Sequence, residues 1–210
     1  MNNPLNGLMQ EPLAGLAGKG YLADLFREAF QKMEHSLGQL LGRRTAMARC
    51  SLQILRGENF FDSFEDPLDQ SYFASILKMD EIFGSNVILL ISARDGIGLY
   101  RRLTGEDWAE EDGVPDEAVA GIGELNNILG NAFVNSLANL LKMTIHTTIP
   151  LNTLDLLGAI LQDIVLQEEY LNSQILTVDA AFEGEEENGC TVRIIILSDW
   201  RRFNRILDGV

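Results

Sequence analysis

The chain has 210 residues, a hydrophobic fraction of 46% and a formal net charge of −15. That length holds one sizeable core, or two fused half-domains sharing one, and the hydrophobic fraction argues against a disordered chain. The acidity argues against phosphate backbones and anionic lipid as partners, because no large basic field is present to release counterions. A protein partner that presents lysines fits the charge better.

Taken in chain order, residues 1–18 are rich in Asn, Gly and Pro and read as a loose tail. They lack the basic start and apolar stretch of a signal peptide. No apolar run is long enough to cross a membrane; the longest, 87–91 and 194–197, are strand-sized. The periodicities predict a helix over 20–41, strands over 43–55, 72–82 and 86–92, and a helix ending at 104. The stretch before residue 72 is short and broken by Pro67, so a loop is expected there. An acidic linker follows, punctuated by Gly113 and Pro115. The second half predicts a helix over 115–141, a strand over 142–149, a helix over 153–169, strands over 172–183 and 190–197, and a final helix. Cys50 and Cys190 both fall in strand-like runs and read as buried free thiols, which fits a reducing cytoplasm.

The two halves repeat one another. SILKMDEIFGSNVILLISARDGIGLYRRLTG (75–105) and QILTVDAAFEGEEENGCTVRIIILSDWRRFNRILDG (174–209) share one pattern. Each has a strand, an acidic or Gly turn, a strand ending near Ser, and an Arg-bearing helix ending in Gly. Ser36-Leu37 and Leu40-Leu41 recur as Ser136-Leu137 and Leu140-Leu141, one hundred positions on (136 − 36). The expected fold is therefore α+β: two pseudo-symmetric α-β-(α)-β-β-α repeats, with antiparallel strands and outer helices. Residues 19–210 form one domain, with repeats at 19–105 and 114–210.

On a helical wheel, residues 115–141 separate into two faces. Ala118, Val119, Ile122, Leu125, Leu129, Phe133, Leu137 and Leu140 form a core stripe, while Glu124, Asn127, Asn131 and Asn135 align on the opposite side. Asparagine is a mediocre helix former, so three on one outer stripe do not serve helicity. Gly121, Gly123 and Gly130 leave bare backbone beside that stripe, where a second protein could approach closely. A solvated face with a chance Glu-x-x-Asn spacing is the bland alternative.

The segment runs Glu124-Leu-Asn-Asn127, twenty-two residues (128–149), then Pro150 and an apolar helical stretch. This resembles the CheC/CheX/FliY family of chemotaxis response-regulator phosphatases. The motif of that family is Asp or Ser, three residues, Glu, two residues, Asn, twenty-two residues, Pro. IGELNNILGNAFVNSLANLL is especially similar to the active helix of CheC. The resemblance is specific over 116–170 and extends through the duplication to 20–210. Ala120 departs from the motif's Asp or Ser, and Asn126 stands where glycine is common. Asp24 and Arg27 occupy the positions equivalent to Glu124 and Asn127 (124 − 100 and 127 − 100). One intact site is expected, and the site of the first repeat is expected to be degenerate.

The resemblance implies hydrolysis of the aspartyl phosphate of a phosphorylated CheY-type response regulator. Asn127 would position the attacking water, which a carboxamide does without placing charge near the phosphate. Glu124 would dock a regulator lysine, since a carboxylate acting as base beside the phosphoryl oxygens would repel them. Asn131 is a further partner-binding candidate. No cofactor of its own is expected; Mg²⁺ belongs to the regulator's acidic pocket. His35 and His146 lack ligand-spaced neighbours, so no metal site is read. Two other readings stay open: a non-catalytic binding module like the middle domain of flagellar switch proteins, and a regulator acting chiefly through a CheD-like partner. The sequence does not determine the oligomeric state.

Overall fold

The computed structural model describes residues 9–10, 20–42, 44–64, 67–79, 85–106, 113–165, 174–184 and 191–207. The strands are β1 (Met9–Gln10), β2 (Thr45–Arg56), β3 (Ser71–Lys78), β4 (Ser85–Ser92), β5 (Leu151–Leu156), β6 (Gln174–Gly184) and β7 (Val192–Asp199). The helices are α1 (Gly20–Leu41), α2 (Ala93–Thr104), α3 (Asp116–Leu141), α4 (Leu157–Val165) and α5 (Trp200–Leu207). Among the described residues the strands make one sheet in the order β1-β2-β6-β7-β4-β3-β5. Every pairing is antiparallel except the short one of β1 with β2.

That order carries the imprint of a duplication. Exchanging β2, β3 and β4 for β5, β6 and β7 returns the same six-stranded order read from the other end. The β4–β7 pair lies at the centre, and the first strand of each half pairs with the second strand of the other. The halves are intertwined, so neither completes its own sheet.

The central strands are apolar on both faces, because each face is covered. Val87, Leu89 and Ile91 point to one side and meet Phe30, Met33, Leu129, Phe133 and Leu137 from α1 and α3. Ile88 and Leu90 point to the other side and meet Leu157, Ile160, Leu161 and Ile164 of α4, together with Phe60. The strand period of two feeds two cores from one run of residues. The long helices lie side by side: Phe30 stacks on Phe133 with ring centroids 5.3 Å apart. Phe26 of α1 likewise stacks on Phe203 of α5 at 5.9 Å. The first repeat's counterpart of α4 is reduced to two short 3₁₀ turns, Gly57–Asn59 and Phe61–Ser63.

Two boundaries differ from the sequence reading. Residues 142–149 are not a strand; only Thr147 bridges, to Met79, and the Thr148 N–H donates to the Lys78 carbonyl. The strand comes later, and it takes residues 153–156, which the sequence pattern assigns to the start of a helix. The reason lies at Ile149-Pro150. Leu151 faces Ile76, which would set residue 148 opposite Met79, but Thr147 is found there. The chain carries one extra residue at this point, and Pro150 offers no N–H to the ladder. Ile149 is left 92% exposed. Of the proposed tail, only Met9–Gln10 is described; Cys190, much of the acidic linker and the tip between β6 and β7 lie outside the described residues.

Candidate functional site

α3 is built to be long and held from both ends. Pro115 precedes it in an extended conformation, and Asp116 and Glu117 place negative charge at the positive end of the helix dipole. Lys142 closes it in the left-handed region (φ 52°), its N–H returning to the carbonyls of Ala138 and Asn139. Ile122, Leu125, Leu129, Phe133 and Leu137 are buried against the sheet and α1, which fixes the rotation of the helix about its axis. Glu124 and Asn135 are therefore exposed, and Asn127 and Asn131 half-buried, on the side away from the core.

Two of these side chains touch. Asn131 Nδ2 donates to Oδ1 of Asn127 at 2.7 Å and to the Asn127 main-chain oxygen at 2.9 Å. The structure thus couples Asn131, read as a partner contact, to Asn127 within the chain itself. Glu124 lies one turn before Asn127 on the same stripe, with its carboxylate in solvent. Ala120, another turn back, is also exposed and offers no polar group to the stripe.

Two of the three glycines do not do what the sequence suggested. A Cβ on Gly121 would meet the Tyr100 ring at 2.8 Å, one on Gly123 the Asn152 Nδ2 at 2.5 Å, and one on Gly130 the Leu77 side chain at 3.0 Å. Gly123 and Gly130 are buried, their bare backbone covered by side chains from β5 and β3, whereas Gly121 lies beside Tyr100 yet remains exposed. At Gly123 and Gly130 the backbone is therefore not open to a second protein; at Gly121 it is exposed. Asn152 was not foreseen: the buried Ser75 hydroxyl donates to its Oδ1 at 2.5 Å, holding its amide against Gly123. No local pattern links residues 77 positions apart (152 − 75), so nothing in the sequence marked that contact. The burial of Asn126, which stands where glycine is common in the motif, was not foreseen either. Its side chain is fully buried, and neither Nδ2 nor Oδ1 has a hydrogen-bond partner among the described residues.

On α1, Asp24 and Arg27 form an ion pair at the positions equivalent to Glu124 and Asn127. Cys50 is buried beneath the helices, and desolvation pushes its thiol up to about 12, with the Asp179 carboxylate adding to the shift. A thiol held protonated and buried in this way is a poor nucleophile near neutral pH. Among the described residues, no group of three His, Cys, Asp or Glu is placed to hold a metal, and no helix is long and apolar enough to cross a membrane.

A sheet of this order with paired long helices on one face is a fold found in proteins of known structure. The chain is 22% identical to the CheY-P phosphatase CheC of Bacillus subtilis over 174 residues, 81% of this chain and 83% of that one. Its fold matches Thermotoga maritima FliY with a TM-score of 0.68, covering 95% of this chain and 96% of that one at 13% identity. The FliM middle domain from H. pylori matches at 0.58 (15% identity, 91% of this chain and 99% of that one). CheX, in its complex with CheY, BeF3 and Mg²⁺ from Borrelia burgdorferi, matches at 0.53 (15% identity, 82% of this chain and 96% of that one). No protein-family model matches. The chain is thus similar in sequence to CheC and shares its fold with FliY, CheX and the FliM middle domain.

Proposed function

We propose that this protein hydrolyses the aspartyl phosphate of a CheY-type response regulator, using Asn127 to position the attacking water and Glu124 to dock a lysine of the regulator. The observation that carries the reading is the α3 stripe: an exposed carboxylate one turn from a carboxamide whose oxygen is already held in one direction. The relatives support the substrate class, since CheC is a CheY-P phosphatase and CheX has been crystallised with CheY.

The chemistry needs little from this chain. The phosphoryl group leaves through a loose transition state, so water must be placed in line more than deprotonated. Water attacks phosphorus, the bond to the aspartate oxygen breaks, and inorganic phosphate and a free carboxylate result. A carboxamide accepts one hydrogen bond from that water and adds no charge that would repel the phosphoryl oxygens. Holding the water turns an encounter into an effectively unimolecular step. Mg²⁺ is expected in the partner's pocket, where it would neutralise charge on the phosphoryl oxygens. Glu124 sets the register of the helix on the partner through a charge-assisted pair.

The second reading is a binding module that contacts the regulator without turnover, and the FliM-like fold favours it. Incubating trace amounts of the protein with a panel of phosphorylated regulators separates the two. Catalytic release of phosphate from at least one regulator supports the enzyme; binding with unchanged phosphate loss across the panel supports the module.

A further inference from the structure

We infer that Asn131 is a positioning residue that fixes the orientation of the Asn127 carboxamide; this rests on the phosphatase reading above. A terminal carboxamide has two orientations of nearly equal shape and opposite polarity, related by a half-turn about its last torsion. An unrestrained Asn127 would present Nδ2 to the water as readily as Oδ1, and only the oxygen accepts a proton donor. Asn131 removes that ambiguity. Its Nδ2 is tied to the main-chain oxygen of Asn127, an atom the helix holds in place, and from there it donates to Asn127 Oδ1. The orientation with oxygen toward Asn131 is favoured, and one lone pair of that oxygen stays free to accept from water. Half-burial of both side chains limits competition from bulk solvent for this bond.

Helix formation does not explain the residue. Asparagine is a poor helix former, and bonding back to the main chain one turn earlier weakens helices slightly. Leucine or alanine at 131 would serve α3 better, so the asparagine answers another need. The orientation of its neighbour supplies that need.

The test compares wild type, N131L, N131A, N127A and the N127A/N131L pair on a regulator that the wild type dephosphorylates. Kcat, KM and the thermal unfolding midpoint are measured for each. N131L and N131A are expected to lower kcat by roughly three- to tenfold, the worth of one hydrogen bond, with KM within about twofold and the midpoint not lowered. Adding N131L to N127A should cost nothing more, because the group being oriented is gone. Unchanged kcat in the single variants, a rise in KM alone, or additive losses in the pair would overturn the inference. If N127A itself turns over like wild type, the phosphatase reading falls and this inference with it. A slow N127A beside a normal N131L sinks only the inference.

Discussion

Asp24 and Arg27 close an ion pair with each other on α1, at the two positions that stand one hundred residues before Glu124 and Asn127. The first repeat has therefore exchanged a free carboxylate and a carboxamide for two charges that satisfy one another. A guanidinium cannot accept a hydrogen bond from water, and a paired aspartate is less available to a partner's lysine. Asp24→Ala and Arg27→Ala should leave phosphate release within about twofold of wild type, as expected of a pair outside the proposed site. Their stabilities should differ. Asp24 is mostly exposed, whereas the Arg27 side chain is only 21% exposed, so its truncation also gives up packing, about 1 kcal/mol in urea unfolding.

If Glu124 docks a lysine of the regulator as proposed, its removal should appear in association. Glu124→Ala is expected to raise KM about tenfold with kcat within about threefold, as loss of a charge-assisted contact does. Raising salt should weaken wild-type association in the same direction and the variant less, since the screened pair is already absent. Salt sensitivity equal in both proteins would remove Glu124 from the interface.

Asn126 is a stability liability inside α3. A buried amide without partners forfeits its hydration, and asparagine is a weak helix former. Asn126→Ala should raise stability by about 1 kcal/mol, the desolvation relieved exceeding the packing lost, and should leave kcat unchanged within about twofold. Denaturant unfolding checks the first part. A destabilised variant would show that the amide has a partner in solution.

Cys50 makes alkaline stability a test of the core. Burial raises its thiol from 9.0 to about 12, so the folded protein holds this proton more tightly than the unfolded chain does. The stabilisation is complete below pH 9 and is lost as pH rises toward 12. Relative to Cys50→Ala, wild type should lose about 2 kcal/mol more between pH 8 and 10.5 in urea unfolding. Parallel pH profiles would mean that the thiol is not desolvated. In the native state at pH 8, Cys50 should also resist alkylation, which the thiolate alone undergoes.

Much of this was legible in the sequence where periodicity carries the information. Ile122, Leu129 and Phe133 fix the inner face of α3, and the repeat of strand-strand-helix endings anticipated a strand order that reads alike from either end. What was not legible depends on neighbours distant in sequence or on single-residue shifts. The Thr-rich run 142–149 has strand character, but one extra residue at Ile149-Pro150 breaks its pairing with β3. Gly123 looks open on a wheel, yet Asn152 arrives from β5 to fill it. Asn126 stands only about 40° from Ile122 on the wheel, and its polarity disguised a core position. The Asn131–Asn127 bond follows from i, i+4 spacing, but two amides at that spacing do not announce which one donates.

The most direct test of the account is the rate of phosphate release from a phosphorylated CheY-type regulator by wild type and Asn127→Ala, with association measured in parallel. Loss of water positioning should slow release by tenfold or more, at least about 1.4 kcal/mol of transition-state stabilisation, while affinity for the phosphorylated regulator stays within about threefold. Equal release by Asn127→Ala and wild type, on a regulator that wild type demonstrably dephosphorylates, would contradict the account.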